Sequence, residues 1–306
     1  MEHAAWLWIP ITLWAALAQT LRNATQRHLT TELGTLGATL VRFLYGLPFA
    51  FTWLAIVLAW RGESLPHPTA AFYGWVTLGA VSQIAATAFL LRVMQERNFA
   101  LGVAYSKTEL IQIAIFGLLV LGDPVSAATA LAIAFGTIGV LLLSPADKQH
   151  PLRALVTGWA TPSARIGLAS GACFALSVIG YRGAALSLGG GTSFLLAGAF
   201  GLVVAQLIQT ALLGGWLAWR APEVVKKTLT LWRPSLFAGF MGAAASAGWF
   251  TAFAIEPAAH VRTLALIELL FSYVVSRKIF REKLTPLELA GIGLLTVGLV
   301  VVTLGR

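Results

Sequence analysis

Apolar stretches long enough to cross a bilayer, about 17–25 residues each, recur from one end of this chain to the other. A soluble fold needs a polar surface, and this chain cannot supply one. Of its 306 residues, 58% are apolar and 11% are charged, where soluble domains carry roughly 25% charged residues. The expected fold class is therefore all-α and integral to the membrane, with lipid as solvent for most of the molecule. The expected location is the cell membrane, as a multi-pass protein of a bacterial inner membrane.

The net charge of +9 does not argue for nucleic acid. The basic residues lie mostly between the apolar runs, where cytoplasmic loops collect Lys and Arg. The one cysteine, Cys173, excludes an intrachain disulfide and reads as a buried, inert thiol between Ala172 and Phe174. The run from Trp6 to Ala18 lacks a basic start and continues into a polar helical segment, so it reads as the first span rather than a signal peptide.

Ten transmembrane helices are expected, near 5–27, 34–60, 70–92, 99–121, 124–144, 164–185, 191–219, 234–255, 259–280 and 284–304. Proline cannot continue a helical hydrogen-bond ladder, so Pro66 and Pro68 are read as closing the second span. Asp123-Pro124 makes a hairpin of the fourth and fifth. Gly189-Gly190-Gly191 joins the sixth and seventh, and Glu256-Pro257 separates the eighth from the ninth. No connection is long enough for a soluble domain.

The chain also resembles itself. A shift of 159 residues lays Glu109 on Glu268, Leu110 on Leu269, Asp123 on Glu282, Ile133 on Ile292, Thr137 on Thr296 and Gly139 on Gly298. A shift of 160 lays Arg22 on Arg182. Residues 1–146 are thus expected to form one five-helix repeat, 147–163 a linker and 164–306 a second repeat. Five spans per half force the two repeats to enter the membrane with opposite orientation. The Lys and Arg bias agrees, since the basic connections of both halves fall on one side if there are ten spans. Counted by charge, both termini lie outside. Inverted repeats of this kind are typical of carriers that bind substrate near the bilayer midplane.

Ionised groups at the bilayer centre cost roughly 2.5–3.5 kcal/mol on insertion scales, so each one needs a reason. Glu109 and Glu268 fall near the middle of the fourth and ninth spans and are repeat equivalents. They are the leading candidates for binding substrate or protons. Helical spacing adds Tyr105, Thr108 and Gln112 beside Glu109, and His260, Ser272 and Ser276 beside Glu268. Lys107 lies about 200° from Glu109 around the helix. Gln19, Arg22, Asn23 and Gln26 make a polar face on the first span. Arg42 sits inside the second span, Gln83 and Thr87 inside the third, Gln206 and Gln209 inside the seventh, and Trp249 inside the eighth. The alternative readings are structural. Arg42 or Lys107 would neutralise a glutamate, Arg22, Arg92 and Arg182 would snorkel to the interface, and Gln and Ser stripes would join helices. Trp6, Trp8, Trp53, Trp60, Trp216 and Trp219 are expected in the interfacial aromatic belt.

Arg42-Phe43, an acidic residue at each hairpin (Asp123; Glu282-Lys283-Leu284) and Gly139 or Gly298 late in the following span resemble the EamA domain. That domain is the repeat unit of the drug/metabolite transporter superfamily. The resemblance covers nearly the whole chain, as two copies of five spans. It implies a ten-helix carrier with a central cavity, small-metabolite transport, frequently export of amino acids or related compounds, and termini in the cytoplasm. One departure stands out. Relatives often carry a proline in the middle of the fourth and ninth helices, whereas this chain has Lys107-Thr108-Glu109-Leu110 and Leu266-Ile267-Glu268-Leu269.

The expected function is secondary transport of a small polar metabolite, such as an amino acid or amine, by alternating access, with export and proton coupling. A buried Glu has a raised pKa and can exchange a proton for substrate. The alternative is a multidrug exporter of lipophilic cations, and after it a lipid-handling membrane protein. An enzyme is not expected, since H-E-x-x-H, G-x-S-x-G and cysteine clusters are absent from the sequence, and no metal or cofactor is called for. The partners expected are the small-molecule substrate, the bilayer and protons, without nucleic acid, in a monomer or homodimer.

Overall fold

A computed structural model of the chain describes residues 6–96, 109–122, 162–189 and 191–268 continuously, with scattered positions between 126 and 138 and between 270 and 301. Among the described residues every regular element is helical. Five stretches are long and apolar enough to cross a membrane: Trp8–Arg61, Ala70–Val93, Arg165–Ser187, Phe194–Arg220 and Trp232–Ile255. Apart from those scattered positions, the fifth and tenth expected spans, the later part of the ninth and the first part of the fourth lie outside the described residues.

α1 (Trp8–Leu44) holds the first expected span and the start of the second. No loop separates them. One residue, Gly34, with φ 66° and ψ 178°, breaks the rod. This backbone region belongs essentially to glycine. Gln26, expected on a polar face, spans the break and donates through Nε2 to the Ala38 carbonyl at 2.7 Å. α2 (Leu47–Arg61) follows after a two-residue irregularity at Tyr45-Gly46, where Pro48 has no N–H to continue the ladder. It ends at Arg61, one residue past the expected end of the second span and ahead of Pro66 and Pro68. Gly62 takes the left-handed conformation (φ 63°) and returns its N–H to the Leu58 carbonyl at 2.9 Å, the usual glycine stop at a helix C-terminus.

α3 (Ala70–Glu96) matches the third span. α4 (Glu109–Phe116) runs into a π-helical turn, Gly117–Leu121. α5 runs over Pro162–Ser187. α6 (Phe194–Gln209) is capped by Ser193, whose hydroxyl accepts from the Leu196 N–H. It continues through a π turn, Thr210–Gly214, into Gly215–Arg220. α7 (Pro222–Thr230) is a short helix the sequence reading passed over as a connection. α8 (Trp232–Ile255) ends at Glu256, held extended by the following Pro257, and α9 (Ala258–Leu264) begins there.

The chain forms two compact units. The first comprises residues 1–84 and 176–256, and the second 85–175 and 257–306. Each takes one segment from either half of the sequence. In the first unit, α8 packs along α1 through small residues. A Cβ at Gly248 would lie 2.7 Å from the Ala15 Cβ, and one at Gly242 would lie 3.2 Å from Arg42 Cγ and 3.4 Å from Arg22 Cδ. α5 meets α3 as closely, because a Cβ at Gly180 would stand 2.6 Å from the Gly79 nitrogen. α7 docks on α1. Val224 and Val225 join Leu40, Phe43, Leu213 and Leu217, the Tyr45 hydroxyl donates to the Thr228 carbonyl at 3.0 Å, and Lys227 pairs with Glu32 at 2.7 Å.

Trp6, Trp60, Trp216 and Trp219 are exposed, as a membrane belt requires, and so is Trp232. Trp8 departs from the expectation and is wholly buried. Cys173 is half-buried rather than enclosed.

Candidate functional site

In a membrane the outside of a bundle is satisfied by lipid, so its chemistry must lie in the polar groups it turns inward. Both units contain them.

In the second unit, Glu109 lies on α4 and is buried. Arg262, on α9, donates through Nη2 to Glu109 Oε1 in a buried ion pair. From its place at the start of the expected ninth span, Arg262 reads as one of the charges flanking the eighth connection. Its burial is not legible there, because a cation five residues after a helix-ending Pro257 looks like a loop residue. Glu268 is also buried, with its backbone N–H on the Ala265 carbonyl at 3.0 Å. Gln112 is half-buried one turn along α4, and His260 is half-buried on α9. Tyr105, Lys107, Thr108, Ser272 and Ser276 lie outside the described residues. Ser170 ties α5 to α3 by donating to the Ala86 carbonyl at 2.9 Å.

The first unit carries the larger polar interior. Tyr181 donates its hydroxyl proton to Gln83 Oε1 at 3.0 Å, and Gln209 Nε2 reaches both Gln83 Oε1 at 2.8 Å and the Tyr181 oxygen at 3.0 Å. Three helices, α3, α5 and α6, thus share one closed triangle of hydrogen bonds. Gln83 and Gln209 were singled out from sequence and Tyr181 was not. The signal was available, since a buried amide at Gln209 and a half-buried one at Gln83 need further partners. The Tyr181 ring packs on Phe250 with centroids 4.2 Å apart.

Trp249 donates its indole N–H to Gln19 Oε1 at 2.9 Å and stacks on Phe253, so these two predicted residues do meet. Arg22 donates to Asn23 Oδ1 at 2.7 Å. Arg22 and Arg42 are buried, and both stems pass over Gly242. The Arg42 guanidinium lies 5.4 Å from the centre of the Phe43 ring. Arg182 is buried as well and donates to the Phe253 carbonyl at 2.5 Å. The expectation that Arg22 and Arg182 snorkel is therefore overturned. Their helices run past them into glycine- and alanine-rich contacts that leave room for a guanidinium inside. Arg92 is exposed. Among the described residues no three His, Cys, Asp or Glu side chains cluster to hold a metal.

No family model matches the chain, and no curated protein matches it. A solved structure described as "Crystal structure of protein" is similar to it, with TM-score 0.68 over 97% of this chain and 96% of that one, at 14% identity. That likeness concerns the fold alone.

Proposed function

We propose that the chain is a secondary transporter of the drug/metabolite type, built as ten transmembrane helices in two inverted five-helix repeats, that moves a small polar metabolite across the cell membrane. The observation that carries this reading is the buried Glu109–Arg262 ion pair in the interior of the second unit. A buried pair returns little net stability once its desolvation is counted, so a chain that keeps one in a membrane has a use for it. The polar lining of the first unit, from Gln19 and Trp249 to Tyr181, Gln83 and Gln209, supports the same reading.

The pair also refines the role given to Glu109. A carboxylate already held by a guanidinium does not stand ready for an amine. A proton or a substrate carboxylate must compete for one half of the pair, which makes it a two-state element that cargo can bias. Export by proton exchange is the form this reading takes.

The test is transport in proteoliposomes loaded with a panel of amino acids, amines and organic acids. Glu109→Gln and Glu268→Gln should each abolish transport, or uncouple it from pH, in protein that elutes as a single folded species. Wild-type rates in both variants would defeat the assignment.

A further inference from the structure

The connection from α6 to α8 carries an uneven charge. Between Trp219 and Arg233 stand four basic residues, Arg220, Lys226, Lys227 and Arg233, and one acid, Glu223. Two of the four cations are matched. Lys226 pairs with Glu223 at 2.9 Å and Lys227 with Glu32 at 2.7 Å. Arg220 and Arg233 are exposed and form no ion pair among the described residues. Each lies instead against the tryptophan before it. The Arg220 guanidinium is 4.9 Å from the centre of the Trp219 ring, and that of Arg233 is 5.4 Å from the centre of the Trp232 ring. The other end of the same unit is balanced. Its charged side chains that reach the surface, among the described residues, are Arg61 and Glu63, which pair with each other.

The helices set the depth of these groups. Phe194–Arg220 and α8 are each long enough to cross a membrane. Arg220 ends the first, and Trp232 and Arg233 open the second. α7, which joins them, therefore has both ends at one face of the bilayer. Its nine residues rise about 14 Å, too short for a hydrocarbon core of about 30 Å, so it runs along that face. Val224 and Val225 turn toward α1, while Lys226, Lys227 and Leu229 are exposed. Trp219 and Trp232 are 74% and 51% exposed. An exposed tryptophan at a span end sits at headgroup level, and the arginine resting on it stands at the same depth.

We propose that this surface binds anionic phospholipid headgroups, with Arg220 and Arg233 as two phosphate contacts and Trp219 and Trp232 as the platforms that hold them. A guanidinium presents a planar fork of donors that matches phosphate oxygens. Position selects lipid over a soluble partner, since both arginines stand where spans leave the bilayer and headgroups already surround them. The two unmatched charges select anionic over zwitterionic lipid, because a zwitterionic headgroup brings its own cation. Bound lipid also has a route to the rest of the unit. A Cβ at Gly37 would lie 2.7 Å from Val224 Cγ1, so α7 braces α1 just past its break at Gly34. The site stands independently of what the chain carries.

The experiment uses full-length protein in detergent, equilibrated with equal amounts of phosphatidylglycerol and phosphatidylethanolamine and read by native mass spectrometry. Wild-type protein should retain phosphatidylglycerol in preference. A basic residue at an anionic surface is worth about fivefold in binding. Arg220→Gln and Arg233→Gln should each lower the preference about fivefold, and the double variant should lose most of it. Arg61→Gln, at the other end of the unit, should keep it. Equal retention of the two lipids by wild-type protein, an undiminished preference in the double variant, or an equal loss in Arg61→Gln would overturn the site. So would displacement of phosphatidylglycerol by inorganic phosphate or by an oligonucleotide at matched concentration, which would mark a site for soluble anions. If the double variant does not fold, wild-type protein labelled with phosphatidylglycerol bearing a headgroup diazirine decides. The label should concentrate in peptides from 219–233, and equal labelling around Arg61 would overturn the proposal.

Discussion

Arg262 and Glu109, 153 residues apart in the chain, meet as an ion pair in the interior of the second unit. Neither helix needs this contact to form. α4 and α9 are apolar enough to pack without it, and each charge costs free energy to bring out of water.

The consequence is a non-additive pair of substitutions. Glu109→Gln or Arg262→Met alone leaves a buried charge without its counterpart and should destabilise by about 3–5 kcal/mol. The double variant should recover most of that loss. Thermal unfolding in detergent checks it through a double-mutant cycle. Additive losses would mean that the two side chains contribute to stability separately.

The Tyr181–Gln83–Gln209 triangle makes a contrasting prediction. Tyr181→Phe removes one oxygen and leaves the buried Gln209 amide and the half-buried Gln83 amide with fewer partners, a loss of about 1–3 kcal/mol. Replacing Gln83 and Gln209 by Leu in the same background removes the orphaned groups too and should restore stability. If these groups line a transport route, the restored protein should remain inactive. Stability and flux measured on the same preparations separate the two roles.

These two clusters show what the sequence discloses. Helices are legible where apolar runs are long, and α3, α5, α6 and α8 lie within a few residues of their expected places. Buried polarity is legible where the residue is strange in its setting, as with Glu109, Arg42 and Gln209. Three kinds of feature stayed hidden. Arg262, Arg22 and Arg182 stand near the ends of the expected spans, where an arginine in water and one in a glycine-lined interior have the same local sequence. The α7 helix is too short and too polar to register by hydropathy, yet it docks through Val224 and Val225. The break at Gly34 replaces an expected loop with a single residue, because conformation rather than composition turns the chain there.

Gly34 and Gly62 both have positive φ but answer differently to substitution. Gly62, at φ 63° and ψ 19°, is in the left-handed helical region, which Asn visits routinely. Gly34, at φ 66° and ψ 178°, is not. No atom lies within 4 Å of a Cβ at either position, so any cost is a backbone cost. Gly62→Asn should be tolerated, while Gly34→Asn should lose about 1–3 kcal/mol. Equal unfolding midpoints for the two would refute the distinction. Gly180→Ala serves as a steric comparison, since its Cβ would lie 2.6 Å from the Gly79 nitrogen and 2.8 Å from the Trp75 carbonyl oxygen. Backbone atoms on both sides leave no side chain to yield, and the loss should be about 1–3 kcal/mol from overpacking.

The connection between α2 and α6 should be sensitive to acid. Arg61 Nε donates to Glu63 Oε1 at 2.8 Å, and the Ser193 backbone N–H donates to Glu63 Oε2 at 3.2 Å. The Arg61 hydrogen bond holds the Glu63 carboxyl below its usual range; burial opposes it as the next largest effect, and the hydrogen bonds from Ser193 add smaller lowering contributions. A carboxyl depressed in the folded state binds fewer protons there than in the unfolded chain. Its contribution is therefore fully present above the ordinary carboxylate pKa and disappears as pH falls through the depressed folded value. The wild-type melting temperature should exceed that of Glu63→Gln at neutral pH, and the gap should close on acidification. Because both side chains of the pair reach solvent, high salt should narrow the neutral-pH gap as well. A gap independent of pH would assign the contribution of Glu63 to shape rather than charge.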